Sequence, residues 1–404
     1  MAIDLTYDPH VEKLVEATRK FVREYILPIE DEHFGNIADA GGDVLRTQIQ
    51  AAAREAGVFA PHAPVEYGGH GLDMSDRAPV FEESGYSLFG PLALNLAAPD
   101  EGNVHMLAHI ASGSQKQQFL APLARGDVRS AFAMTEPAPG AGSDPSALAT
   151  RAVKVAGGWQ VSGRKWFITG ADGAGFFIII MARTSGKPGD RGGATMFLAP
   201  SQTPGITVGR HIGTLDKSMI GGHCEVTFDS VFIPDENVLG AVDEGFAYAQ
   251  VRLGPARMTH VMRWLGAARR AHDIAVDHVA RREGFGAKLG DLGMMQQMVA
   301  DNEIDIAGTR ALLIQACHAL DHDSHAANET AIAKTFGAEA IFRVVDRSIQ
   351  MCGGLGVSED LPIARISREV RPFRVYDGPS EVHRWAIAKR AVGAAKRAAR
   401  EAQS

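Results

Sequence analysis

Cysteine is scarce in this chain of 404 residues. Only three occur, Cys224, Cys317 and Cys352, and they are far apart in the sequence. An odd and widely spaced set gives neither a disulfide framework nor a Cys-x-x-Cys metal site. The sequence therefore favours a reducing cytoplasm as the compartment.

Long apolar runs and an excess of positive charge are also missing. The longest apolar run covers residues 176–182, which is the length of a buried strand and far short of the ~18 residues of a membrane helix. The first thirty residues alternate in charge and contain no apolar signal-peptide core. The formal net charge is −7, which argues against a nucleic-acid partner. We expect neither a membrane span nor bound nucleic acid.

The glycine fingerprint of a nicotinamide dinucleotide site is absent as well. Such a site needs Gly-x-Gly-x-x-Gly between a strand and a helix. The segments at 140–145 and 354–359 both lack the third glycine. His105 and His109 have the spacing of two ligands on one helix face, but no glutamate or third ligand accompanies them, so no metal site is predicted.

Hydrophobic periodicity divides the chain into three parts. Apolar residues recur at helical spacing within 10–27, 44–57 and 101–125, and again within 246–282, 292–322, 326–352 and 380–400. Alternation with glycine- and proline-rich breaks fills the region from about 129 to 240. We predict an α+β protein with an N-terminal helical domain (1–128), a middle β domain (129–240) and a C-terminal helical bundle (241–404).

A carboxylate on a turn stands out in the segment Val375-Tyr376-Asp377-Gly378-Pro379-Ser380-Glu381-Val382-His383. Val375 and Tyr376 are expected to desolvate Asp377, and Ser380 to cap a helix beginning near Glu381. Asp377 is therefore the predicted catalytic base. On these residues alone, an ordinary turn followed by a helix cap is the favoured interpretation, and the neighbouring motifs are what argue against it.

Three further segments, together with this one, resemble the acyl-CoA dehydrogenase family. They are Phe132-Ala133-Met134-Thr135-Glu136-Pro137 continuing to Asp144, Gly163-Arg164-Lys165-Trp166-Phe167-Ile168-Thr169-Gly170, and Gln350-Met351-Cys352-Gly353-Gly354-Leu355-Gly356. Their order and spacing also fit, and the resemblance covers roughly residues 5–395. Asp377 in place of the commoner Glu, and the segments 98–103 and 252–257, resemble a branch typified by family members 10 and 11.

The resemblance implies that the middle domain is a β-barrel or sandwich and the C-terminal domain a four-helix bundle. It also implies FAD as cofactor, lying between the β domain and the helical bundle. It places Met134 and Thr135 at the flavin pyrimidine, Thr169 at N5 and Arg282 at the pyrophosphate. Gln350, Gly353 and Gly354 would reach the adenine of a neighbouring subunit, so a homodimer or homotetramer is expected. The complete set of expected cofactor contacts is Phe132, Met134, Thr135, Ser143, Phe167, Thr169, Arg282, Phe285, Gln350, Gly353, Gly354, Pro379 and Glu381.

The reaction implied by the family is α,β-dehydrogenation of an acyl-CoA thioester. Asp377 would take the α-proton, flavin N5 the β-hydride, and an electron-transfer flavoprotein the electrons. Ser143, Arg257 and Gly378 are the expected substrate contacts. Some relatives carry their base at the position of Ala256, which cannot accept a proton.

Two other interpretations remain open from the sequence. A flavoprotein similar to nitroalkane oxidase would also use an aspartate base. A non-catalytic assembly protein on the same fold is the second, although the retained Asp377 and flavin loops argue against it.

Overall fold

The computed structural model describes residues 6–142, 144–173, 177–323 and 326–402. Its α-helices are α1 Pro9–Phe21, α2 Leu27–Glu32, α3 Asp43–Glu55, α4 Met74–Ser84, α5 Gly90–Ala93, α6 Asp100–Ile110, α7 Gly113–Gln115, α8 Ala121–Ala124, α9 Gly245–Arg281, α10 Gly293–His322, α11 Ala327–Cys352, α12 Ile363–Val370 and α13 Ser380–Glu401. Two π-helical segments, Val22–Ile26 and Lys116–Leu120, adjoin α2 and α8.

The strands are β1 Ser130–Ala133, β2 Arg151–Val155, β3 Gly158–Thr169, β4 Phe177–Arg183, β5 Ala194–Pro200, β6 Ile206–His211, β7 His223–Pro234, β8 Val238–Leu239, β9 Glu283–Gly284 and β10 Ala287–Lys288. Short 3-10 turns are Val65–Tyr67, Pro145–Ala147, Asp235–Asn237, Leu289–Asp291, Gly353–Val357 and Arg371–Arg374.

The described residues form two compact units. The sheet unit contains the described residues of Glu16–Asp73 and Phe89–Leu253. The bundle unit contains those before Glu16, the segment Met74–Leu88 and those from Gly254 onward. The proposed three-domain boundaries remain a prediction. Within the described residues, none of the helices is long and apolar enough to span a membrane.

An eight-stranded sheet dominates the sheet unit, in the order β6-β7-β3-β2-β4-β5-β8, with β1 paired parallel to β4. Strand β4 is buried along its whole length, because β1 and β5 pair with it and apolar side chains cover it. The predicted buried strand at 176–182 is thus confirmed over its described part, 177–182. Its neighbours in the sheet core include Trp159, Val161, Phe197, Phe228 and Ile233.

The long helices of the bundle unit follow the predicted periodicity closely. Helix α10 packs along α11 and α4, and α11 packs against α12 and α13. Helix α12 had not been expected from the sequence. In the sheet unit, the helix predicted over 101–125 is interrupted, because Ala111 is extended and Ser112 forms a capping box with Gln115 that starts a new helix.

Helices α4 and α9 approach closely through two glycines of the bundle unit. A Cβ on Gly85 would overlap the carbonyl oxygen of Arg263, and a Cβ on Gly266 would overlap that of Glu82. No side chain larger than hydrogen fits at this crossing. The contact fixes the part of α9 that carries Arg257 and His260.

We expect Gly266→Ala to lower the free energy of unfolding by about 1–3 kcal/mol, because the methyl group forces the helices apart. Gly393→Ala is the matched control. Gly393 also lies inside a helix, but a Cβ there would be 3.6 Å from its nearest neighbour, Arg397 Nη1. Alanine at this position should therefore raise the free energy of unfolding by about 0.5–1 kcal/mol. Urea unfolding of both variants measures the difference, and equal effects would contradict the steric argument.

Candidate active site

The turn that carries Asp377 is defined by two successive residues with left-handed backbone. Asp377 has φ +54° and Gly378 has φ +98°. Glycine adopts this conformation freely and aspartate tolerates it better than most residues. A Cβ on Gly378 would also come within 2.6 Å of His383 Nε2. The geometry of the turn therefore requires glycine at position 378 and suits aspartate at position 377.

Basic side chains from three helices hold the carbonyl groups of this turn. Arg257 Nε of α9 donates to the Asp377 carbonyl at 2.9 Å, and His383 Nε2 of α13 donates to the same oxygen at 3.2 Å. Lys334 Nζ of α11 donates to the carbonyls of Gly378 at 2.7 Å and Phe373 at 2.9 Å. These contacts fix the backbone from which the carboxylate projects.

The same surroundings shift the pKa values of two of these groups. Burial lowers the pKa of Lys334 to about 8, although Asp377 opposes the shift. Burial, together with the charges of Arg257 and Lys334, lowers the pKa of His383 to about 4. His383 is therefore neutral at pH 7, and its Nε2 carries the hydrogen that faces the Asp377 carbonyl.

The carboxylate itself lies beside a buried histidine. Asp377 Oδ2 is 3.3 Å from His260 Nε2, and the side chain of Asp377 is 20% exposed. Arg263 Nη2 is 2.8 Å from His260 Nδ1. A guanidinium group only donates, so Nδ1 accepts and the hydrogen of the neutral imidazole sits on Nε2, facing the carboxylate.

Aromatic side chains enclose this pair. Tyr376 Oη is 3.3 Å from His260 Nδ1 and accepts a hydrogen bond from Trp264 Nε1 at 2.5 Å. The ring of Phe373 lies 5.7 Å from that of His260. The predicted desolvation by Tyr376 agrees with this arrangement. Val375 is 56% exposed, and its part in the desolvation stays a prediction.

The predicted cap of α13 was wrong. The N-cap position is Pro379, whose backbone is extended, and Ser380 is the first helical residue. From that position the Ser380 hydroxyl does not serve as the helix cap, and Glu381 lies in the first turn.

A second candidate segment, the loop after β1, is held by a buried ion pair in the sheet unit. Lys165 Nζ lies 2.8 Å from Glu136 Oε1, with both side chains almost completely buried. Lys165 Nζ also donates to the Met134 carbonyl at 3.0 Å, and Trp166 N donates to the Thr135 carbonyl at 3.0 Å. The loop backbone at Met134 and Thr135 is thereby tied to β3.

Glu136 organises the rest of this loop. Its carboxylate accepts backbone hydrogen bonds from Ala141, Ala149 and Thr150 at 3.1, 2.7 and 2.8 Å. Burial alone would raise the pKa of Glu136, but Lys165 and these hydrogen bonds bring it to about 2. One ionised carboxylate thus connects both ends of the loop.

Strand β3 displays an aromatic ring and a hydroxyl near its end. The pairing with β7 shifts between Lys165 and Ile168, and Phe167 within this irregularity has φ +52° and is 44% exposed. A bulge of this kind redirects a side chain. Thr169 Oγ1 lies 2.9 Å from His223 Nδ1.

A polar network anchors the start of β1. Asp100 Oδ1 accepts from Ser130 N at 2.7 Å and from its hydroxyl at 2.6 Å, while Asn103 Nδ2 donates to the same hydroxyl at 2.8 Å. Arg252 Nε donates to Asn103 Oδ1 at 2.8 Å, and its guanidinium lies 4.4 Å from the centre of the Phe132 ring. Asp100, Asn103 and Arg252 therefore support the strand that leads into the loop.

Three family models match consecutive parts of the chain. They describe the acyl-CoA dehydrogenase N-terminal domain over residues 8–127, the middle domain over 131–231 and the C-terminal domain over 243–392. The chain is 36% identical to "Probable acyl-CoA dehydrogenase FadE2" of Mycobacterium tuberculosis over 87% of this chain and 86% of that protein. This chain belongs to the acyl-CoA dehydrogenase family.

Other relatives agree with this assignment. Acyl-CoA dehydrogenase family member 11 of Mus musculus is 34% identical over 94% of this chain, which spans only 50% of that longer protein. A solved putative acyl-CoA dehydrogenase from Mycobacterium abscessus superposes with a TM-score of 0.88 at 34% identity, over 96% of this chain and 99% of that one. Butyryl-CoA dehydrogenase from Megasphaera elsdenii superposes with a TM-score of 0.85 at 26% identity, over 96% of this chain and 100% of that one. The predicted family and fold are confirmed, and FAD is the cofactor of this family.

The remaining family-derived positions lie at the surface of the bundle unit. Arg282 and Phe285 occupy the β9–β10 hairpin region, where Phe285 is 96% exposed. Gln350 is exposed in the last turn of α11, and Gly353 and Gly354 open the 3-10 turn that follows. Their contacts with a cofactor remain predictions. Ser143 lies outside the described residues.

Sequence reasoning missed several residues that surround Asp377. His260 and Trp264 lie three and seven residues after Arg257, so one helical face presents all three. That spacing was available in the sequence once Arg257 had been singled out. Lys334 offered no such signal, because a lysine inside a long helix is ordinarily solvated.

We expect Lys165→Met to destabilise the fold by about 3–5 kcal/mol, because it leaves the Glu136 carboxylate buried without its cation. Lys154→Met is the control, since Lys154 and Asp235 form an ion pair in which both side chains are half exposed. Loss of this exposed ion pair should lower the free energy of unfolding by only about 0–1 kcal/mol. Urea unfolding measures both changes, and similar small losses in the two variants would refute the role of the buried pair.

Acid should weaken the fold partly through His383. Its folded pKa of about 4 lies below the ordinary 6.5, so the unfolded chain binds this proton first as the pH falls. The stabilisation is present above pH 6.5 and is lost towards pH 4. His383→Gln, whose amide can still donate to the Asp377 carbonyl, should therefore lose less stability than the wild type across this interval. Urea unfolding at pH 6.5, 5.5 and 4.5 measures the free energy of unfolding of both proteins. An equal loss in the two as the pH falls would contradict this.

Proposed function

We propose that this chain catalyses FAD-dependent α,β-dehydrogenation of an acyl-CoA thioester to the trans-2-enoyl-CoA, with Asp377 as the base that removes the α-proton. The observation that carries the proposal is the rigid turn at Asp377 and Gly378. It lies in the segment that resembles the family's base-bearing segment, and Arg257, Lys334 and His383 hold its carbonyls in place.

The two carboxylate oxygens of Asp377 have different roles in this proposal. Oδ2 faces the Nε2 hydrogen of His260, which orients the group. The other oxygen would accept the α-proton. The remaining exposure of the side chain would be covered by the bound thioester, and a carboxylate that has lost water is a stronger base.

FAD, when bound, supplies the acceptor for the hydride that leaves the β-carbon. The loop fixed by Glu136 and Lys165 would present Met134 and Thr135 to the flavin pyrimidine, and Phe167 and Thr169 would face the ring and N5. Two observations support this fit: the ring of Phe167 is exposed on the β3 bulge, and Lys165 holds the Met134 carbonyl in place. Phe132 and Ser143 would complete these contacts.

Other cofactor and substrate contacts are proposed from the family alone. Pro379 and Glu381 would approach FAD from the start of α13, and Arg257 and Gly378 would contact the thioester or its CoA. The Nε of Arg257 is already engaged by the Asp377 carbonyl, so a substrate contact would use its terminal nitrogens.

We further propose that the chain acts as a homodimer or homotetramer and passes electrons to an electron-transfer flavoprotein. The exposed ring of Phe285 and the exposed Arg282, Gln350 and Gly353 support an interface at which one copy contacts the pyrophosphate and adenine of another copy's FAD. A cytoplasmic location remains the expectation from the few, widely spaced cysteines Cys224, Cys317 and Cys352.

Asp377→Asn tests the mechanism directly. The change keeps the size of the side chain and removes the base, so anaerobic reduction of bound FAD by acyl-CoA should slow by about 10²–10⁴-fold. Flavin binding should persist, because the backbone of the turn is held by carbonyl contacts that the asparagine retains. Asp360→Asn, on an exposed aspartate of the same unit, is the control and should reduce at the wild-type rate.

A wild-type rate in Asp377→Asn would remove Asp377 as the base. A panel of acyl-CoA thioesters of different length and branching, followed by flavin bleaching, identifies the substrate class. Nitroalkanes belong in the same panel, because peroxide formed from them without bleaching by any acyl-CoA would favour the oxidase interpretation instead.

A further inference from the structure

Thr169 and His223 face each other at the end of the β3–β7 pairing in the sheet unit. They are direct partners in the antiparallel register, and Thr169 Oγ1 lies 2.9 Å from His223 Nδ1. The next residues continue the contact, because Gly170 N donates to the Gly222 carbonyl at 2.8 Å. Backbone pairing on both sides therefore sets the distance between the hydroxyl and the ring.

Asp216 holds the opposite nitrogen of the same ring. Its Oδ2 lies 2.6 Å from His223 Nε2, and the two side chains are 8% and 16% exposed. Although burial opposes it, the hydrogen bond from His223 helps to lower the pKa of Asp216. An ionised carboxylate only accepts, so Nε2 must carry a hydrogen.

The tautomer has a consequence for the threonine. With the hydrogen of the neutral ring on Nε2, Nδ1 presents a lone pair, and the Thr169 hydroxyl must donate its hydrogen to it. The oxygen of Thr169 then offers only lone pairs to any ligand on its other side. Thr169 is thus set as a hydrogen-bond acceptor.

We propose that His223, held by Asp216, is a positioning residue that makes Thr169 accept a hydrogen bond from the flavin. This inference rests on the proposed placement of flavin N5 at Thr169. Oxidised flavin has no hydrogen on N5, whereas the two-electron reduced form has one. A hydroxyl that accepts therefore stabilises the reduced cofactor relative to the oxidised one.

The reduction potential of bound FAD at pH 8.5 measures this effect, because an ordinary imidazole is neutral at that pH. Replacing His223 by Phe releases the Thr169 hydroxyl to donate to the oxidised ring. We expect at least a tenfold loss in the preference for reduced over oxidised FAD, which is about 30 mV to more negative potential for a two-electron couple.

Asp216→Asn provides an independent variant that keeps the histidine. Asparagine offers both an NH2 donor and an oxygen acceptor to Nε2, so the ring is no longer restricted to the tautomer with its hydrogen on Nε2. In the molecules where the NH2 donates to Nε2, the ring hydrogen sits on Nδ1 and Nδ1 donates to Thr169. The hydroxyl is then free to donate to the flavin, so the potential should again become more negative. Thr169→Val removes the hydroxyl, and adding His223→Phe to it should give no further shift.

His211→Phe is the matched control, because His211 lies at the end of the neighbouring strand β6 and its Nε2 pairs with Asp172 Oδ2 at 2.8 Å. Its potential should equal that of the wild type. An unchanged or more positive potential in FAD-loaded His223→Phe would overturn the inference, as would a more positive potential in Asp216→Asn or an additional shift in the double variant. Failure of the proposed function would be recognised separately, because the wild type would then either bind no FAD or hold FAD that no acyl-CoA thioester reduces.

Discussion

The turn at Asp377 and Gly378 is the constraint on which the proposed chemistry depends. Two successive left-handed residues turn the chain sharply just before α13. The carbonyl groups of this turn accept hydrogen bonds from Arg257, Lys334 and His383 of the bundle unit. A buried carbonyl needs a donor. Here the donors come from three different helices, so the packing of the bundle and the position of the carboxylate are set together.

The sheet unit uses the same principle with the charges reversed. There a buried carboxylate, Glu136, gathers the backbone N–H groups of a loop, and Lys165 balances its charge. An isolated buried charge is costly, so both partners must be present for the loop to keep its shape. Each candidate segment thus owes part of its geometry to side chains outside the expected contact set, Lys334 and His383 in the bundle unit and Glu136 and Lys165 in the sheet unit.

The sequence was informative where the pattern was local. Helical spacing located α9, α10, α11 and α13, and an uninterrupted apolar run located β4. The expected helix over 101–125 failed because a single capping serine, Ser112, stops α6 and starts another helix. Propensity summed over a window does not register such a local competition.

The site could be predicted only in part for a related reason. Asp377, Thr169 and Phe167 fall within recognisable motifs, whereas Lys334 and His223 act through contacts that span many residues of sequence. Lys334 reaches Gly378 across 44 positions, and His223 reaches Thr169 across 54. Pairings of this length depend on tertiary packing, which hydrophobic periodicity does not encode.

Hydrogen exchange at the α-carbon of a bound thioester tests the central claim most directly. An acyl-CoA analogue with sulfur in place of the β-methylene cannot undergo the normal hydride loss, so deuterium uptake from D₂O reports proton abstraction without flavin reduction. We predict rapid exchange on the FAD-loaded wild type and loss of about 10²–10⁴-fold in Asp377→Asn. Exchange at the wild-type rate in that variant would show that another group removes the proton.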